Sequence, residues 1–190
     1  RDRSPSRGLG DVYKRQQYLT ENADHVIIQT PYVICNGYMY DVLQGISDHA
    51  KLQIVLNAVE KGSNPWGCTD YLNQKKKILE TGADVYELMN DYPVHTKAVL
   101  INDRLSVVGS YNLDMRSTYL DTELMLVIDS EKLNQQIHET ESDYMEKSKE
   151  VLANGQETEG AKYHGKVLNR KKKLYYGVLR IIIRPLRQLL

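Results

Sequence analysis

Two β-rich runs, residues 97–101 and 105–109, are separated only by Asn102-Asp103-Arg104, and no other feature restricts the fold of this chain as tightly. Asn and Asp suit a tight turn because their short side chains bond the local backbone and tolerate a left-handed conformation. Folding back about that turn makes the two runs antiparallel neighbours, paired where residue numbers sum to about 206. Around the hairpin, further β-rich runs alternate with helical ones. Residues 25–30, 51–59, 83–88 and 120–128 read as strands, the last with Asp121, Glu123 and Met125 along one face. Residues 38–50 carry Met39, Val42, Leu43 and Ile46 on one side of a helix. A second helix, capped by Thr69 or Asp70, runs to Leu79 and is stopped by Gly82; a long polar helix started by Asp129 or Ser130 spans 130–152. Strands alternating with helices give a layered α/β domain.

The 190 residues are 41% hydrophobic and 26% charged, enough core for one compact domain and too polar for a membrane-embedded body. Cys35 and Cys68 offer neither zinc spacing nor a disulfide framework, which fits a reducing compartment. No charged-then-apolar leader is visible. The net charge of zero conceals a segregation. Residues 161–190 hold nine Lys or Arg and no acid, so the other 160 residues carry −9. Such separation usually faces a phosphate-rich surface. The start, residues 1–16, has no apolar periodicity and is broken by Pro and Gly; it reads as a non-native artefact or a disordered terminus, with the natural chain continuing upstream. That leaves a folded lobe over 17–152, a linker over 153–166 and a basic amphipathic segment over 167–190.

The hairpin also gathers chemistry. His95 and Lys97, two apart on an extended segment, leave the same face. The 206 register sets Gly109 and Tyr111 opposite Lys97 and His95, with Ser110 and Asn112 close by. Lys, Ser and Asn are donors suited to phosphate oxygens. A histidine beside them can act as nucleophile or as general acid, though not both in one step. His-x-Lys occurs three times, but only this copy is followed by the remaining elements. His49-Ala50-Lys51 lies at a helix end, and His164-Gly165-Lys166 lies in the basic tail.

His95-Thr96-Lys97, Asn102 and Gly109-Ser110-Tyr111-Asn112 together resemble the phospholipase D superfamily signature H-x-K-x4-D-x6-G-S-x-N. Leu113-Asp114-Met115-Arg116-Ser117 narrows the likeness to its bacterial cardiolipin synthase branch, and Gln29-Thr30-Pro31-Tyr32 is similar to that branch's substrate-side loop. The resemblance covers roughly residues 22–137. It implies a mixed β-sheet flanked by helices in a single lobe. It also implies His95, Lys97, Ser110, Asn112 and Glu123 as catalytic residues, with Glu123 holding the imidazole, and Pro31, Tyr32 and Arg116 on the substrate side. Asn102 stands where the family has Asp, with an acid displaced to Asp103; with Gly109 these are scaffold positions. The implied reaction joins two phosphatidylglycerol molecules into cardiolipin and glycerol through a phosphohistidine, without metal or cofactor. It needs a second such motif, from a missing upstream half or a second chain, and the resemblance gives His95 the general-acid role. Hydrolysis of phosphodiesters and a non-catalytic lobe are the competing readings.

In the tail, Leu174, Val178, Ile181, Ile182 and Leu189 share one helical face and Arg180, Arg184 and Arg187 another, behind Lys171, Lys172 and Lys173. Three arginines and Pro185 argue against a spanning helix, and for a segment lying at an anionic membrane surface. A helix packed on the core is the alternative, and no nucleic-acid partner is expected. Together with the resemblance, these features imply a place at a bacterial membrane, peripherally or on its cytoplasmic face.

Overall fold

The computed structural model describes residues 18–187. The expectation for 1–16 therefore lies outside the described residues. Strands β1 (His25–Gln29), β3 (Lys51–Asn57) and β4 (Asp84–Leu88) are parallel neighbours. Helix α1 (Gly37–Ser47) connects the first two and α2 (Pro65–Glu80) the last two. Both helices cover the face bearing Val26, Ile28, Leu52, Ile54 and Val85. Helix α1 buries Met39, Val42, Leu43 and Ile46, the stripe read from sequence. The start of α2 is not Thr69 or Asp70 but Asn64, whose side chain accepts from the Trp66 and Gly67 amides, with Pro65 in the first turn. Proline is preorganised there and Asx side chains are strong caps. Thr69 and Asp70 are instead buried within the helix. Gly82, at φ +86°, supplies the left-handed turn that ends it.

On the other side of β1 the sheet reverses. β5 (Ala98–Ile101) runs antiparallel to it, followed by β6 (Leu105–Gly109) and the edge strand β8 (Met125–Asp129). Ala98 pairs with Val108 and Ile101 with Leu105, the register set by the Asn102 turn. Asn102 sits at φ 49°, and its Oδ1 accepts from the amides of Asp24 and His25, tying the turn to the start of β1. A small parallel pair, β2 (Val33–Ile34) with β7 (Leu113–Asp114), lies outside the main sheet. The short helix α3 (Met115–Tyr119) follows it, capped by Asp114.

Four expectations are corrected. The strand read over 120–128 begins at Met125, so Asp121 and Glu123 lie in the preceding loop. The long polar helix is α4 (Glu131–Glu146), capped by Ser130 as anticipated, and it stops short of 152. Ser148 to Val151 turn back as β9 beside β4, because an otherwise open sheet edge there offers unpaired backbone groups. The supposed linker supplies β10 (Glu157–Glu159), which pairs with β9. The eight-stranded order is thus β10-β9-β4-β3-β1-β5-β6-β8, a mixed sheet with α4 packed on the face opposite α1 and α2. Finally, α5 (Arg170–Leu186) packs across α2, burying Tyr176, Leu179 and Ile183. Its Arg180 donates to Asn73 Oδ1 and its Arg187 to Asp70 Oδ1 at 2.6 Å. Two of the cations read as membrane-facing are therefore turned onto the body. Leu189 lies outside the described residues.

Candidate active site

β1, β3 and β4 end together at Gln29, Asn57 and Leu88, and β5 enters beside Gln29 from the opposite direction. Ligands of open α/β sheets sit outside the carboxyl ends of the strands, where strand order reverses. His95 and Lys97 lie on the extended approach to β5 at this point. Asn57, which the sequence did not single out, aims that approach. It is buried, donates to the carbonyls of Pro31 and Val94 and accepts from the Val94 amide at 2.8 Å. A lone Asn ending an apolar run was the only available signal.

Lys97 is 8% exposed, whereas His95 lies open to solvent. The ammonium donates to His95 Nδ1 at 2.5 Å and to the His95 carbonyl at 2.7 Å. Burial first, and the Lys97 charge second, hold the imidazole below its usual 6.5. Burial likewise lowers the Lys97 ammonium, opposed by the charges of Glu123 and Asp114. Those two acids therefore lie within electrostatic reach of the pair. Gly109 donates its amide to the Lys97 carbonyl, and a Cβ there would strike the Leu124 carbonyl and Met125, so only glycine fits.

Ser110 follows directly. Its hydroxyl donates to the Glu123 carboxylate in a short hydrogen bond, and accepts from the Leu124 amide at 3.0 Å. The expectation that Glu123 holds the imidazole is not met in this arrangement. Glu123 is carried by the loop before β8 rather than by the strand, where Ser110 takes its oxygen and Lys97 takes the ring nitrogen. Asn112 donates weakly to Ser117 Oγ at 3.3 Å, and its buried Oδ1 has no partner. The Nε2 of Gln29, a residue 4% exposed, is also unpartnered.

The small β2–β7 pair brings the substrate-side loop to this group. Thr30 Oγ1 accepts from the Leu113 amide and donates to the Tyr32 carbonyl. The Tyr32 phenol lies within electrostatic reach of Asp114, and its pKa is raised by burial first and Asp114 second. Its ring lies against Gly67, where any Cβ would clash with it. Asp114 is buried and pushed upward by desolvation, opposed by the Ser117 amide at 2.6 Å. Arg116 is exposed and paired with Asp121 at 2.9 Å. An apolar cavity of about 440 Å³ between α1 and the sheet is lined by Val42, Val107 and Leu113 and also by Ser117, Asp121 and Glu123. Asn102 and Asp103 lie at the far end of the hairpin, with His25 and His138 stacked beside them.

A family model for the cardiolipin synthase, PLD-like domain, matches residues 16–144. The chain belongs to this family. It is 30% identical over 146 residues to cardiolipin synthase A of Cronobacter sakazakii, covering 74% of this chain and 27% of that protein. It is 28% identical over 152 residues to cardiolipin synthase A of Serratia proteamaculans, covering 77% and 29%. This PLD-like domain thus spans less than a third of the length of those relatives. Among solved structures, phosphatidylserine synthase of Haemophilus influenzae matches with a TM-score of 0.67 at 15% identity, over 95% of this chain and 45% of that one. Nuc of Salmonella typhimurium, a phospholipase D family member, matches with 0.57 at 15%, over 77% and 91%. At such identities these structures show the fold, a phospholipase D-like mixed sheet flanked by helices.

Proposed function

We propose that this PLD-like domain supplies one half of a phosphatidyltransferase site that joins two phosphatidylglycerol molecules into cardiolipin and glycerol. The observation that carries the reading is an exposed imidazole bonded to a buried ammonium at the carboxyl ends of the parallel strands. His25, His49 and His138 lie at the opposite end of the sheet and His164 lies exposed in the segment after β10; the reading takes the second histidine from outside this lobe. That histidine would attack phosphorus, forming an N–P bond as the P–O bond to glycerol breaks, while His95 protonates the departing alkoxide. The hydroxyl of a second phosphatidylglycerol would then attack, giving its proton back to His95 as the N–P bond breaks.

The resting hydrogen bonds suggest how substrate prepares the site. A phosphate competes for the Lys97 ammonium and the Ser110 hydroxyl, both now held internally. Their transfer would leave His95 Nδ1 and Glu123 each lacking a partner, and pairing them would raise the ring's basicity. Asn112, weakly bonded to Ser117, is a further donor. The cavity favours a substrate with an apolar arm over a nucleic acid, since most of its lining is aliphatic.

The test is to incubate the gene product with phosphatidylglycerol vesicles and resolve the products by mass spectrometry. Cardiolipin and glycerol are expected, with at least a thousandfold loss in His95→Ala. Phosphatidic acid without cardiolipin would assign a hydrolase, and turnover unaffected by His95→Ala would remove this site from the chemistry.

A further inference from the structure

Helix α5 has two apolar faces, and the protein covers only one. The inner face is fixed. Tyr176, Leu179 and Ile183 are buried against α2. Arg187 donates to Asp70, which is fully buried, and to the Cys35 carbonyl. The opposite face bears Leu174 at 72% exposure and Ile181 at 70%, with Val178 and Ile182 extending the stripe to one side. Docked as it is, the helix cannot roll to hide these residues.

Cations border the stripe. Arg170, Lys171, Lys173 and Arg184 are exposed around it, Lys172 lies over the inner face within reach of Cys68, and no acid stands in the first turn. A basic run at a helix N-terminus faces the positive end of the macrodipole and repels itself, so it works against the helix that carries it. An external anion relieves both penalties. The surface is the convex outside of a single helix, with long aliphatic side chains beside cations that can extend to a phosphate plane. That combination suits a headgroup layer.

We propose that this outer face of α5 is a docking surface for anionic phospholipid bilayers. Leu174, Val178, Ile181 and Ile182 enter the headgroup–acyl boundary while Arg170, Lys171, Lys173 and Arg184 lie on phosphates. Arg180 and Arg187 take no part, because they hold the helix to the body. The inference goes beyond the transferase reading and does not depend on it. The Cys35 carbonyl that Arg187 grips is three residues past Tyr32, so the end of the docked helix adjoins the substrate-side loop.

The experiment is cosedimentation with vesicles of phosphatidylglycerol or of phosphatidylcholine. Binding to the former is expected, at least tenfold weaker to the latter and weakened by salt. Val178→Asp with Ile181→Asp should cut binding at least tenfold while leaving the melting temperature unchanged. As a second measurement, Ile181→Trp in a Trp66→Phe background should shift its emission to the blue on adding anionic vesicles. Equal binding to both lipids, full binding by the double variant, or an unshifted emission would overturn the proposal. So would loss of vesicle binding in favour of a dimer on size-exclusion chromatography, which would give the stripe to a second copy.

Discussion

At the residue scale, Asn102 separates scaffold from chemistry. The family pattern puts Asp there, yet the atom that matters is an acceptor oxygen on a residue at φ 49°. Asn102 Oδ1 takes the Asp24 and His25 amides at 2.9 and 3.1 Å, at the end of the hairpin remote from His95. Asn102→Asp keeps the acceptor and tolerates the left-handed backbone, so stability should change by no more than ~0.5 kcal/mol in chemical denaturation. Asn102→Ala loses both hydrogen bonds and strains the turn, at a cost of about 2 kcal/mol, with turnover per folded molecule unchanged. Lys97 yields a prediction of the other kind. Because its charge helps hold the His95 imidazole below 6.5, the charged ring is lost at lower pH than in a free histidine. Lys97→Met should move the His95 titration upward, as NMR of the ring would record; an unmoved titration would show that burial alone sets it. Both residues were legible in the sequence because a hairpin converts numbering into proximity. The partners of His95 and Glu123 were not, since hydrogen bonds among four side chains within reach of one another depend on rotamers that spacing does not encode.

At the scale of elements, helix α4 carries an unpaid cost. Glu141 is 1% exposed and neither carboxylate oxygen has a partner, and burial raises its pKa to about 8. A folded-state value above the unfolded one means that the native state binds this proton more tightly. The contribution is therefore fully present below the unfolded carboxylate value and is lost as pH rises through about 8. Thermal unfolding should show stability falling between pH 5 and 8, by several kcal/mol at most. Glu141→Gln removes that slope and Glu141→Leu raises the melting temperature at pH 8; a slope surviving both changes would place its origin elsewhere. From sequence this helix reads only as long and polar, because a single Glu on the inner side does not disturb the polar pattern. Strands β9 and β10 were missed for a related reason. Ser-Lys-Glu-Val and Glu-Thr-Glu have no apolar alternation, and they are strands only because β4 offers an edge. The start of α2 was legible in Asn64-Pro65, but a nearby Thr and Asp presented the same capping chemistry.

At the scale of the molecule, the site is open on one side. His95 faces solvent, and the neighbouring surface is apolar where a lone domain would be polar. Leu120 and Leu124 in the loop after α3 are about as exposed as Leu126 and Val127 on β8, and β8 is an unpaired edge of the sheet. An exposed edge with aliphatic side chains is a place for another chain segment to pack. Under the transferase reading this face receives the lobe that brings the second histidine. Leu120→Lys with Leu126→Lys alters side chains that touch solvent and do not line the cavity, so the melting temperature should move by no more than a degree or two. Turnover on phosphatidylglycerol should nevertheless fall at least tenfold, because the second imidazole would no longer be held in line. Dilution then identifies the partner. If a second copy completes the site, specific activity of this chain rises with its concentration and the double variant is monomeric by light scattering. If an upstream half completes it, this chain alone is inactive at every concentration and a longer gene product turns over independently of dilution. Full activity of the double variant in either case would mean that the second histidine does not arrive over β8.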